Sequence, residues 1–132
     1  MEKMARAAQA LSDATRLRII NVLAVKESCV CEVMQALDIS QTRASRNLKI
    51  LNDAGFLRMR TDGLFTLYAL ADGKASFQSE LVAVVHKELA SDKVARQDIA
   101  RLAKAERVGA GCGPRKSKSE PCCPPGQVSR LN

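Results

Sequence analysis

Apolar residues recur along this chain at two periods, and the places where the period changes divide it into elements. Met4, Ala8 and Leu11 stand at i, i+4 and i+7, and Leu17, Ile20, Leu23 and Ala24 form a second stripe that runs to about Lys26. Ser12-Asp13 between them offers capping chemistry, so two short helices are expected there. Val30, Val33, Met34 and Leu37 mark a third helix, with Glu32, Gln35 and Ala36 expected to turn away from the core. Ser28 is its expected N-cap. That places Cys29, Val30 and Cys31 in an exposed first turn, where backbone N–H groups lack partners and the helix dipole favours thiolate. Asp38-Ile39-Ser40 breaks the pattern, and Ser40 caps a fourth helix with Ala44, Leu48, Leu51 and Ala54 inward and Gly55 just past its end.

After Gly55 the period drops to that of strands. Phe56–Arg60 and Leu64–Leu70 flank Thr61-Asp62-Gly63, a D-G turn that signals a hairpin. From Lys74 to Glu106 the spacing is helical again, through Phe77, Leu81, Val84, Val85, Leu89, Ala95, Ile99 and Leu102, with Ser91-Asp92 placed to kink or split it. One small core cannot cover that much apolar surface, so the first and last helices are expected to pack against a second copy. Past Val108 the chain turns to Gly, Pro, Ser and charge. The fold expected is mainly α with a small β-hairpin, a dimeric winged helix-turn-helix. Residues 1–106 form its DNA-binding and dimerisation domain, and 107–132 a flexible, basic, cysteine-containing tail.

Two short helices joined by about three residues fit a helix-turn-helix. The outward face of the second carries Gln41, Thr42, Arg43, Ser45, Arg46, Asn47 and Lys49, side chains that bond base edges and phosphates. Arg43, Arg46 and Asn47 are the expected base or phosphate contacts, with Lys49, Arg58 and Arg60 on the backbone. Charge supports this placement. Of the net +7, residues 1–39 and 63–106 contribute nothing, with five basic against five acidic groups and six against six. The excess sits in 40–62, five against two, and in 107–132, five against one. A neutral scaffold carrying a basic helix-turn-helix has the electrostatic footprint of a DNA binder.

The chain's 132 residues suffice for one domain, and only 3% are aromatic, which suits a helical core of Leu, Val, Ile and Ala. No apolar run approaches the roughly eighteen residues of a membrane span and no signal peptide is evident, so a cytoplasmic protein is expected. Five cysteines, an odd count, argue against a disulfide framework. Four stand in close pairs, Cys29/Cys31 and Cys122/Cys123, with Cys112 nearby in sequence to the second. Paired reduced thiols point to soft-metal, metalloid or redox chemistry. The lone histidine, His86, reads as an ordinary helix residue, and Glu88 with Asp92 as part of a solvated face. With no nucleophile–base set, phosphate loop or zinc-hydrolase motif, no enzyme activity and no obligatory cofactor are expected.

ALSDATRLRIINVL at 10–23, CVCEV at 29–33, SQTRASRNLKILNDAGFL at 40–57 and the spacing of Arg60, Gly63 and Tyr68 together resemble the ArsR-type winged-helix repressors over roughly residues 4–90. The cysteine doublet ahead of the recognition helix resembles the family's arsenical-sensing branch. The resemblance implies a homodimer on double-stranded operator DNA that departs when As(III) or Sb(III) binds as inducer at Cys29 and Cys31. Met34 stands where such members often carry a third cysteine, which makes Cys112, Cys122 and Cys123 candidate further ligands. Asn47 occupies a position often held by His. Two rival functions remain open: a repressor of the same fold that senses thiol oxidation, and a metalloid-binding or partner-binding protein that does not bind DNA.

Overall fold

The computed structural model describes residues 1–71 and 76–107. Its helices are α1 (Glu2–Ala10), α2 (Ala14–Val25), α3 (Val30–Leu37), α4 (Gln41–Asp53), α5 (Phe77–Leu89) and α6 (Lys93–Lys104). Its strands are β1 (Ser28–Cys29), β2 (Leu57–Asp62) and β3 (Phe65–Leu70), in the antiparallel order β1-β3-β2. Cys112, Cys122, Cys123 and all of the expected tail except Arg107 lie outside the described residues. No helix among those described is long and apolar enough to cross a membrane.

Three helix starts are capped by side-chain oxygens, the first two as expected. Asp13 caps α2 by accepting the Arg16 N–H at 3.2 Å, Ser40 caps α4 through Arg43 N–H, and Ser76 caps α5 through Ser79 N–H. The end of α4 is closed by Gly55, whose φ of +91° is open to glycine without strain. Phe56 N–H reaches back to Leu51 C=O and Gly55 N–H to Asn52 C=O, both at 3.1 Å, the paired bonds of a Schellman motif. Both Phe56 and Leu51 are buried, so the same turn that stops the helix aims β2. A Cβ on Gly55 would come within 2.7 Å of the Gln78 side-chain nitrogen, so α5 also closes on this point.

One core cluster unites α1 through α4 with the sheet, and includes Ile19, Ile20, Val22, Val30, Val33, Leu37, Leu48, Leu51, Phe56 and Leu67. One expectation is corrected around it. The N-cap of α3 is Cys29 rather than Ser28, because Ser28 and Cys29 form a two-residue strand opposite Tyr68 and Leu67. The final helical stretch is split where Ser91-Asp92 stands, as expected, with the Asp92 carboxylate accepting Ala95 N–H at 3.0 Å to start α6. Within that final stretch α6 folds back onto α3 and α2, and α5 keeps the more uncovered apolar side.

That docking explains the burial of Glu32 and Ala36, which were expected to face outward. Asp98 of α6 is itself fully buried and takes Arg18 in a two-pronged pair, both bonds at 2.8 Å, with Arg101 at 2.9 Å. The Asp98 hydrogen bond holds the Arg18 guanidinium above its usual pKa despite burial. Arg101 adds a bond from Nε to Ala36 C=O at 2.8 Å. By contrast no residue of α5 is fully buried, and Val84 is 63% exposed, as is half of Met4 on α1 at 50%.

Candidate functional site

α4 presents Thr42, Arg43, Arg46 and Lys49 to solvent, with Gln41 half-buried at its start. These are five of the seven side chains expected on its outward face. The other two turn inward: Ser45 is fully buried and Asn47 nearly so. At 100° per residue they fall on the side shared with Ala44, Leu48 and Leu51. Asn47 ties α4 to α2, accepting from Arg16 Nη1 at 2.9 Å and donating to Arg43 C=O at 2.9 Å. Arg43 Nη2 donates to Thr15 Oγ1, also at 2.9 Å, and Arg16 Nε to Ala10 C=O at 2.7 Å. Lys49 lies 3.3 Å from Asp53, an exposed i, i+4 pair of little energetic weight.

On the hairpin, Arg58 and Arg60 are both exposed. Arg60 is engaged, its guanidinium forking onto the Glu27 carboxylate at 2.8 and 2.9 Å. The same bond pulls the Glu27 carboxyl below its ordinary range. Glu27 immediately precedes β1, so this pair ties the hairpin to the strand that carries the first thiol.

Cys29 and Cys31 are wholly buried, not exposed as the sequence reading had them, and they are not joined in a disulfide. Cys29 sits in extended backbone as both the end of β1 and the cap of α3, and Cys31 occupies the second helical position. The start of α3 has the reciprocal form of a capping box, with sulfur in place of the usual hydroxyl: Cys29 N–H donates to Glu32 Oε1 at 2.9 Å. Glu32, buried, also takes Lys26 at 3.0 Å and Arg107 at 2.8 Å. Burial pulls the Arg107 guanidinium down, but its hydrogen bond to Glu32, with the charges of Glu32 and Glu27, outweighs that and leaves it above its usual value. Arg107 also donates to Glu27 C=O at 3.2 Å. Met34 packs half-buried against the core. Among the described residues no three His, Cys, Asp or Glu side chains are placed together to hold a metal ion.

From the sequence Glu32 is expected only on an outward face, and nothing there gives Arg107, Arg16 or Asp98 a role. Glu32 had a signal, since it follows Cys29 at capping-box spacing once Cys29 is taken as the cap. Arg107 had none, because its partner lies 75 residues away.

A helix-turn-helix formed by α3 and α4, followed by a hairpin whose sheet returns to the start of α3, defines a winged helix-turn-helix. The chain belongs to the ArsR family of bacterial regulatory proteins. The family model described as "Bacterial regulatory protein, arsR family" matches residues 13–58. The cadmium resistance transcriptional regulatory protein CadC homolog of Staphylococcus aureus is 34% identical over 67% of this chain and 74% of that one. The arsenical resistance operon repressor of Bacillus subtilis is 31% identical over 61% and 79%. The solved homodimeric winged helix-turn-helix DNA-binding domain of Mb0332 from Mycobacterium bovis, described as a possible ArsR-family regulator, superposes with a TM-score of 0.58 at 28% identity, covering 70% of this chain and 82% of that one. The chain spans only 54% of the length of another relative, the transcriptional repressor SmtB homolog of Synechocystis. These relatives are transcriptional regulators, not enzymes, and the present chain is a regulator of that kind.

Proposed function

We propose that this chain is a homodimeric operator-binding repressor released from DNA when trivalent arsenic or antimony bonds to Cys29 and Cys31. The observation that carries the reading is where the two thiols sit: at the start of the helix before the recognition helix, and in a strand of the wing's own sheet. The likeness to a relative named as an arsenical resistance operon repressor supports the choice of ligand.

Contact with DNA is assigned to Thr42, Arg43, Arg46 and Lys49 on α4, with Gln41 at its start and Arg58 on the wing. Ser45 and Asn47, being buried, act by setting the helix in place. The dimer is assigned to the half-covered apolar side of α5 together with α1, which suits the homodimeric state of the Mycobacterium bovis domain.

Arsenous acid exchanges hydroxyls for thiols without redox change: As(OH)₃ and two thiols give a dithioarsenite with one remaining hydroxyl and two waters. Both sulfurs must face one pyramidal centre, whereas Cys29 now lies in a strand and Cys31 in a helix. Capture therefore pulls Cys29 off Leu67 or unwinds the first turn of α3, which strains the wing and the recognition helix together. Cys112, outside the described residues, is a candidate third ligand: it follows Arg107 by five residues, at most about 18 Å of extended chain, and Arg107 bonds to Glu27 and Glu32 on either side of the doublet.

A gel-shift titration with arsenite, antimonite, zinc and peroxide, on wild type and Cys29→Ser/Cys31→Ser, tests the reading. Arsenite and antimonite should release the wild type, and the double variant should bind operator equally well and stay bound. Equal release of both proteins would remove the doublet as the sensor, and release by peroxide alone would replace metalloid sensing with oxidant sensing.

A further inference from the structure

Cys29 and Cys31 have no exposed surface, yet a ligand must reach both sulfurs. Residues that follow α6 bond to side chains and backbone on both sides of that doublet. Ala105 ends the helix in extended backbone at φ −72°, ψ 150°. Glu106 and Gln35 exchange two bonds, Gln35 Nε2 to Glu106 C=O at 2.9 Å and Glu106 N–H to Gln35 Oε1 at 3.2 Å. Arg107 then donates to Glu32 Oε1 and to Glu27 C=O. Those two residues flank the doublet in sequence, one on each side, so the guanidinium staples shut the loop that contains both thiols.

The character of these contacts matters. α6 is anchored by burial of Ala95 and Leu102 and by the Asp98 pairs, whereas residues 105–107, none of them buried, are held by two exposed Gln35–Glu106 bonds and by Arg107, whose bond to Glu32 is an ion pair with a buried carboxylate. A segment held by so few polar attachments, with none of its own residues buried, opens locally far more often than the domain unfolds. Opening it leaves α6 docked and the core intact, but it removes one of the two cations from buried Glu32.

We propose that residues 105–107 form a strap, latched by Arg107, that governs access to Cys29 and Cys31. The strap closes the site in the DNA-binding state and must lift before a metalloid enters; only the identity of that ligand rests on the function proposed above. Arg107 is a positioning residue here, acting on the thiols through Glu32 and Glu27.

The test uses the full chain with Cys112→Ser/Cys122→Ser/Cys123→Ser, so that only the doublet reports. The rate of modification by 5,5′-dithiobis(2-nitrobenzoate) in native buffer is compared among this parent, Arg107→Gln and Gln35→Ala. Each variant should react about five- to tenfold faster, the share of one charge-assisted bond in a partly exposed site, with Arg107→Lys in between. Operator affinity without ligand should match the parent, and the melting temperature should fall by no more than the few degrees that one lost charge-assisted bond costs. The faster rate should depend only weakly on low urea, as local opening does; unchanged rates, or rates that rise with urea as steeply as global unfolding, would overturn the strap. Arsenite binding measured on the same proteins separates the two ideas. If the rates differ while arsenite binds none of them, the strap stands and the arsenic assignment falls; if arsenite binds while the rates agree, the reverse holds.

Discussion

Arg46 and Asn47 are adjacent on α4 and do different work, because a 100° step carries one to solvent and the other into the α2–α4 seam. Replacing Arg46 with Ala should leave the melting temperature unchanged and cost about 1 to 3 kcal/mol of operator affinity if it reads a base edge. Replacing Asn47 with Ala should instead lower stability by about 1 kcal/mol, since it takes from Arg16 a near-buried acceptor at 2.9 Å. Urea melts paired with gel shifts distinguish the two, and a stable Asn47→Ala protein with lost sequence preference would return Asn47 to the reading face. The sequence told which helix carries polar recognition chemistry but not which of its polar residues point outward. Asn and Ser look alike on either face until their partners are known, and Arg16 lies 31 positions upstream.

Among the elements, α6 has the least local reason to be where it is. Its apolar residues, Ala95, Ile99 and Leu102, make a narrow stripe, and its position is set by a fully buried carboxylate facing Arg18. Asp98→Ala would leave that arginine without its two-pronged acceptor. The loss should be about 2 to 3 kcal/mol, the lower end for a buried pair because Arg18 keeps 23% exposure and Arg101 keeps 41%. Hydrogen exchange should then rise in α6 and the first turn of α3 while α2 and α4 stay protected; uniform exchange across the chain would show that α6 is not a separable unit. Periodicity marked the helical stretch from Phe77 to Leu102 and noted Ser91-Asp92 as a break. It could not show that the second half reverses onto α3, since that depends on an ion pair 80 residues apart. β1 was equally out of reach, because two residues carry no alternation.

At the scale of the whole molecule, the uncovered side of α5 should decide assembly. Val84→Asp places a charge on its most exposed apolar position and touches nothing in the core, so the folded chain should persist as a monomer by sedimentation, with operator affinity sharply reduced. A dimer of unchanged stability would move the interface elsewhere. The winged helix-turn-helix as a whole was legible because each level agreed: caps, periods, the hairpin turn and the basic segment all pointed one way. What stayed hidden was how the pieces meet, and Gly55 is where three of them do. The end of the recognition helix, the root of the wing and the Gln78 face of α5 all converge on a position with no side chain. In a dimer joined through α5, that elbow is a fixed joint between the axle and the blade. Under the proposed function, a twist imposed at the thiol turn would reach DNA as a change of phase between two rigid readers, each still folded and still basic. A released repressor of this build would keep its grip on the polyanion while losing its address along it.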